Sequence, residues 1–436
     1  MAKKDALHGN PRPLSYLSQF AHWLLTRAER QRLIVGGAII FLSALPWIHV
    51  LTASDSQDVG LYREIIGDLL SGKLPYRDRV LEYPPYALAV FIVPAIFGIK
   101  AYADVFILWA AFADSVIRSI LLLLCCRNSK RATWFLPLLV YCVSALFLHG
   151  FFLIRYDIFP ALVTLFALFA FTTNRYVLAG ALVALGTGIK LYPILFAPPL
   201  FLLALRSAAG GRFAAGLATG FLPIAVLSFF LPWWKFLTFH SARGLQVESL
   251  YASILWLGHK LGLLNLKWTF TKAWFEIQGE AVDTVLPCCR LLFASGVCVS
   301  VLFVSWAAMR CRKPSASSLA RLLLVPLLAF MVFNQVLSPQ YMIWLLPFAA
   351  VGILAGKPVP GLLIAAAAGL TPLVYPTEEY HGGLGLPRTL ALVARNLLLL
   401  LTWIWLVREI LHEVRQPVPI IQPSAPPEKP ESPTQP

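Results

Sequence analysis

Apolar runs separated by short polar turns repeat along almost the whole chain. They fall at residues 33–51, 102–126, 132–148, 157–173, 176–190, 191–206, 213–232, 285–309, 319–335, 339–355, 358–375 and 389–411. Most approach or reach the roughly 17–25 residues that carry a helix across a bilayer. The pattern predicts an all-α, polytopic transmembrane helix bundle of about twelve spans. The run at 85–98 is set apart, because it is bounded by prolines and a glycine and is too short to cross. If it did cross, Arg127, Lys130 and Arg131 would lie outside, against the positive-inside rule. It is therefore expected to be a juxtamembrane or re-entrant piece. The remaining alternation puts Arg206, Arg212, Arg310, Arg312, Lys313, Lys357, Arg408, Arg415 and both termini in the cytoplasm.

Three parts follow from the same pattern. Residues 1–32 read as a cytoplasmic amphipathic segment, with Leu14, Leu17, Phe20 and Leu24 on a helical period. Residues 33–411 form the membrane domain, with a first outer loop at 53–101 and a long outer loop at 233–284. Residues 412–436 are proline-rich and are expected to be a disordered cytoplasmic tail. In the first outer loop, Leu61, Ile65 and Leu69 share one helical face and Glu64, Asp68 and Ser71 another, which predicts a helix lying flat on the membrane.

Composition agrees with the pattern. The chain is 58% hydrophobic and 13% charged, with mean hydropathy +0.73, against about 25% charged for soluble domains. A net charge of +15 is accounted for by cytoplasmic loops and does not imply nucleic acid. The seven cysteines have neither metal-ligand spacing nor an even count, and read as packing residues.

The polar residues expected on the outer side form an inventory. Asp55 and Asp58 follow the first span, where a carboxylate can draw the proton from an attacking hydroxyl. Arg155 and Asp157, at a helix junction, are placed where ionisable groups need a partner or a task. Lys190, at the meeting of two spans, can hold a phosphate as a point charge. In the long loop, His240, Arg243, Gln246 and Glu248 lie close together; Arg243 suits a phosphate, and the others suit donor or acceptor. Asn334, Gln335, Ser338, Gln340 and Tyr341 form a polar turn whose amides and phenol match sugar hydroxyls. A base, several cations and several amides on one side are what transfer of a sugar from a lipid phosphate requires.

Seven short motifs carry a resemblance: Asp58-x-x-x-Tyr62, Gly72-x-x-Pro75-Tyr76, Tyr83-Pro84-Pro85, Arg155-Tyr156-Asp157, Lys190-Leu191-Tyr192-Pro193, Arg243-Gly244-Leu245-Gln246-x-Glu248 and Ser338-Pro339-Gln340-Tyr341-x-x-Trp344. In this order the chain resembles the GT-C glycosyltransferases. Within them it is similar to the family-87 polyprenyl-phosphate-sugar-dependent transferases, a group that includes mycobacterial phosphatidylinositol mannosyltransferases. The resemblance implies juxtamembrane helices in the first outer loop and an inverting transfer with Asp58 as base. Lipid monophosphate would leave, held by Lys190, Arg243 and Arg155. The donor would be a polyprenyl-phosphate hexose, mannose foremost, and the acceptor a lipid-linked sugar or glycan. The location implied is a bacterial inner membrane, with the site facing outside. Related glycolipid-anchor mannosyltransferases carry Asp-x-Asp in the first loop, whereas Ser56 stands two before Asp58 here. Neither a metal nor another cofactor is expected. Two rivals share the inventory: a lipid-linked sugar flippase, favoured by the intramembrane Arg118, and an oligosaccharide ligase using a lipid diphosphate.

Overall fold

The computed structural model describes residues 27–47, 57–127, 133–241, 243–271, 274–310, 314–375 and 377–415. Helix accounts for 76% of the described residues. In the first half the helices are α1 (Arg27–Ala44), α2 (Gln57–Leu70), α3 (Ala87–Ala95), α4 (Tyr102–Arg127), α5 (Leu136–Phe147), α6 (His149–Phe152), α7 (Ile158–Thr172) and α8 (Tyr176–Ile189). They continue as α9 (Ala197–Arg206), α10 (Gly210–Leu227), α11 (Lys235–Ser241) and α12 (Leu250–Lys260). The last five are α13 (Glu280–Arg310), α14 (Ala316–Val332), α15 (Met342–Ile353), α16 (Val359–Leu370) and α17 (Leu386–Arg415).

Among the described residues, four segments are long and apolar enough to cross a membrane alone: Ile99–Arg127, Gly210–Leu227, Glu280–Arg310 and Leu386–Arg415. Several others are shorter. All 12 residues of α15 are buried, and at 1.5 Å per residue the helix is only ~18 Å long. It packs among α5, α7, α14 and α16. Such a helix does not face lipid, so its ends can stop short of the ~30 Å core where the irregular backbone beyond them lines a cavity.

Close helix contact relies on small residues. A Cβ on Gly180 of α8 would stand 2.2 Å from the Phe213 carbonyl oxygen, and one on Gly216 of α10 would stand 2.0 Å from that of Val177. Lipid tails offer no hydrophobic drive for helices to associate, so close backbone approach replaces it. Inside the membrane domain, Arg118 of α4 pairs with Asp114 one turn earlier, and Tyr141 of α5 donates to Asp114 Oδ1 at 2.7 Å. Arg118 also donates to Ser43 of α1 at 2.5 Å and lies 4.5 Å over the Trp47 ring. The cluster ties α1, α4 and α5 together.

The segment at 85–98 contains only the nine-residue α3, too short to span. Its entry is pinned: Tyr86 donates its N–H to the Gly188 carbonyl at 2.8 Å and its hydroxyl to that of Gly220 at 2.6 Å. A Cβ at Gly188 would come within 2.1 Å of the Tyr86 ring, so only glycine fits there. The first outer loop holds the expected amphipathic helix, with its buried face shifted. Val59, Tyr62 and Ile66 are each no more than 1% exposed, whereas Leu61 and Leu69 are only partly buried. The shift follows from α2 docking on α3 and α4 and burying aromatic surface there. Tyr62 stacks on Phe91 at 4.3 Å. On the other face, Asp68 accepts from Lys73 at 2.8 Å and from Arg79 at 2.5 Å, and these hydrogen bonds hold its carboxyl below the usual range.

Four expectations are corrected. The fold is nearly but not wholly all-α: in the long loop, strands β1 (Leu245–Gln246), β2 (Lys267–Thr271) and β3 (Trp274–Gln278) form an antiparallel sheet in the order β1-β3-β2. Trp268 and Leu245 both register with Ile277. β2 and β3 are aromatic- and threonine-rich, which suits a pleated surface. Helix α17 runs to Arg415, so 412–415 are not disordered, and α1 begins at Arg27, within the segment read as preceding the first span. Cys125, Cys126, Cys142 and Cys289 are buried, but Cys288 and Cys298 are exposed on α13.

Candidate active site

One cavity of about 1070 Å³ gathers most of the expected polar residues. Its wall includes Asp58 from the first turn of α2, Arg155 and Asp157 before α7, Lys190 after α8, Arg243 and Gln246 around β1, and Gln335, Gln340 and Tyr341 between α14 and α15. Five segments distant in sequence thus end at one end of the bundle. The opposite end carries Arg321 of α14, paired with Glu409 at 2.6 Å and Glu413 at 2.9 Å of α17. Lys357, between α15 and α16, joins the same glutamates.

Three cation–carboxylate pairs occupy the cavity wall. Arg155 bonds Oδ1 of Asp58. Lys190 Nζ lies 3.0 Å from Asp157 Oδ1, and Arg243 Nη2 lies 2.8 Å from Glu82 Oε2. Burial raises the Asp58 carboxyl above its ordinary value, and the Glu82 and Asp157 charges add to this against the opposing Arg155. Desolvation of the charged form outweighs the ion pair here.

Aromatic rings fix the cations. Lys190 Nζ is 4.3 Å from the centre of the Tyr156 ring, 5.5 Å from Trp344 and 5.7 Å from Tyr341, within cation–π range. Trp344 donates to Asp157 Oδ1 at 2.7 Å, so Asp157 is held from two sides. The Arg243 guanidinium lies 4.7 Å over Trp274, whose indole N–H donates to Glu276 at 3.2 Å. Behind Arg243, Gln335 donates to its carbonyl at 2.8 Å and accepts from Arg290 at 3.1 Å. In the cavity wall, Asp157 Oδ2 and Gln246 Oε1 are buried acceptors with no hydrogen-bond partner among the described residues.

A model of glycosyltransferase family 87 matches residues 81–339, more than half of the chain. The chain belongs to glycosyltransferase family 87. No curated protein matches it. This family-87 glycosyltransferase is therefore an enzyme that transfers a sugar, and its apolar helices make it an integral membrane protein. The matched stretch begins one residue before Glu82 and takes in Arg155, Asp157, Lys190, Arg243, Gln246 and Gln335. Asp58, Gln340 and Tyr341 lie outside it but in the same cavity wall.

Not every expected residue of the family-87 enzyme is free to meet substrate. Glu248 has both carboxylate oxygens committed, one to Tyr380 at 2.8 Å and the other to Arg395 at 2.5 Å. Asn396 also donates to its carbonyl at 3.1 Å. Glu248 and Arg395 are fully buried, so Glu248 braces the long loop against α17. Gln335 likewise uses both amide ends on Arg243 and Arg290. Asp55 lies outside the described residues, as does the side chain of His240.

Glu82 and Trp274 are among the wall residues that sequence reading missed. Glu82 precedes the Tyr-Pro-Pro step without any charge of its own sign pattern to mark it, and only its meeting with Arg243, 161 positions away, reveals it. Trp274 is one of 13 tryptophans, and the strand alternation around it was the available signal. Arg118, the residue favouring a flippase, lies in the sealed α1–α4–α5 cluster and not in the cavity wall.

Proposed function

We propose that the enzyme moves a hexose, mannose foremost, from a polyprenyl-phosphate-sugar to a lipid-linked sugar or glycan on the extracytoplasmic face, with inversion. The observation that carries this reading is a partly buried carboxylate, Asp58, in one cavity with the cations Arg155, Lys190, Arg243 and Arg290. A base and a phosphate site are the two needs of such a transfer.

In this mechanism the acceptor hydroxyl gives its proton to Asp58 as its oxygen attacks the anomeric carbon. The bond from that carbon to the phosphate oxygen breaks, and the lipid monophosphate departs with the electron pair. Arg155 binds only Oδ1 of Asp58, so it orients the base without using the second oxygen. Lys190 and Arg243 stabilise the charge gathering on the phosphate. Both are fixed in advance by rings and hydrogen bonds, and such a preorganised arrangement does not reorganise during the step. The partnerless oxygens of Asp157 and Gln246 call for O–H or N–H donors, which sugar hydroxyls supply. Gln340 and Tyr341 flank the same place. The orientation is supported by Arg206, Arg310, Lys357, Arg408 and Arg415 lying at or near helix ends away from the cavity.

The test is transfer by purified protein in lipid nanodiscs. Labelled polyprenyl-phosphate-mannose is offered with a native lipid extract, beside Asp58→Asn and a parallel trial with nucleotide-sugars. Product from the lipid donor, absent in the variant, is expected. Product from nucleotide-sugar alone would overturn both the donor class and the outward-facing site.

A further inference from the structure

The three ion pairs of the cavity differ in what holds each partner. Asp157 is 1% exposed at its side chain, caught between Lys190 and the Trp344 indole. Asp58 belongs to the first turn of α2. Glu82 stands in the irregular stretch between α2 and α3, and its side chain is 22% exposed. Its partner is the reverse: the Arg243 side chain is 10% exposed, lies over Trp274, and has its backbone carbonyl tied by Gln335. Of the two, the glutamate keeps the greater contact with water.

An unpaired guanidinium in a largely desolvated wall is unfavourable, so a phosphate-binding arginine needs a counter-charge before the substrate arrives. A substrate phosphate diester carries that charge itself. We propose that Glu82 is a positioning residue that occupies Arg243 in place of the substrate phosphate and gives it up when the phosphate binds. The exchange keeps Arg243 neutralised throughout and moves the more exposed partner of the pair. It also makes product release easier, because Glu82 competes for Arg243 against the departing lipid monophosphate. This inference rests on Arg243 being a phosphate ligand, and the experiment separates the two.

The measurement is binding of a short-chain polyprenyl monophosphate to the full-length protein in nanodiscs, with steady-state transfer alongside. Glu82→Gln keeps the shape and removes the competing charge. It should bind the monophosphate about 5-fold tighter or more, and lower KM and kcat together as product release slows. Glu82→Asp keeps the charge and should remain near the wild type in both. Arg243→Gln should weaken binding at least 10-fold, and adding Glu82→Gln to it should change nothing further. A fastening role for Glu82 predicts the opposite sign, because loosening Arg243 would weaken binding; unchanged or weaker binding in Glu82→Gln overturns the exchange. Unchanged binding in Arg243→Gln overturns the phosphate role of Arg243 itself.

Discussion

Two aspartate–arginine pairs lie inside this protein, and their surroundings give them different work. In Asp114–Arg118 the side chains are 1% and 2% exposed, and Tyr141, Ser43 and Trp47 close around them. In Asp58–Arg155 they are 19% and 20% exposed and line a cavity with three more cations, Lys190, Arg243 and Arg290. The first pair lies between helices of one bundle, where polar contacts join neighbours across lipid-depth packing. The second leaves part of its carboxylate reachable by a substrate. The contrast teaches that an intramembrane charge is informative only together with what it faces: the residue deepest in an apolar run, Arg118, is a fastening, and the one at a helix junction faces the cavity.

The largest expected effect breaks the comparison at its chemical end. Asp58→Asn should lower transfer by about 10²–10⁴-fold, the usual worth of a general base, with donor binding and folding retained. Asp114→Asn should leave turnover per folded molecule unchanged. Turnover by Asp58→Asn at the wild-type rate would remove the base from the mechanism.

The next effect is on stability. Arg118→Met alone leaves Asp114 buried without its partner, a loss of about 3–5 kcal/mol, seen as a lower unfolding midpoint in detergent. Asp114→Leu with Arg118→Met should regain most of that loss, because removing both charges removes the desolvation cost. If the double variant were as unstable as the single one, the pair would be doing more than fastening.

The smallest effect is a displacement of the pH profile. Burial raises the Asp58 carboxyl, and a base must be ionised to act. Transfer should therefore fall as the pH is lowered through that raised value, with the acid limb of kcat/KM above the ordinary aspartate value of 3.8. Asp114→Asn should not move that limb. An acid limb at or below the ordinary value would mean that Arg155, not burial, governs Asp58.

Much of this was legible without coordinates. Apolar runs are long and cooperative signals, so the helical membrane class and the non-spanning stretch at 85–98 followed from length and flanking prolines. Asp58, Arg155, Asp157, Lys190, Arg243, Gln246, Gln335, Gln340 and Tyr341 were singled out because topology placed polar junctions together, and one cavity does hold them. Helix phase was less secure: in α2 the leucines suggested one face, and tertiary docking of Tyr62 against Phe91 selected another. The β2–β3 pairing was hidden by its setting in a long loop of mixed polarity.

The sequence by itself determined where the chain is apolar, and hence the class of protein and which junctions are polar, because the transfer of apolar side chains and backbone into lipid is a local property of each run. Only the tertiary structure decided which charges meet. Glu82 with Arg243, Glu248 with Arg395, and Arg118 with Ser43 are pairings across 161, 147 and 75 positions. Such pairings depend on how helices pack, and the same residue types become brace, fastening or site wall according to what packing leaves open beside them.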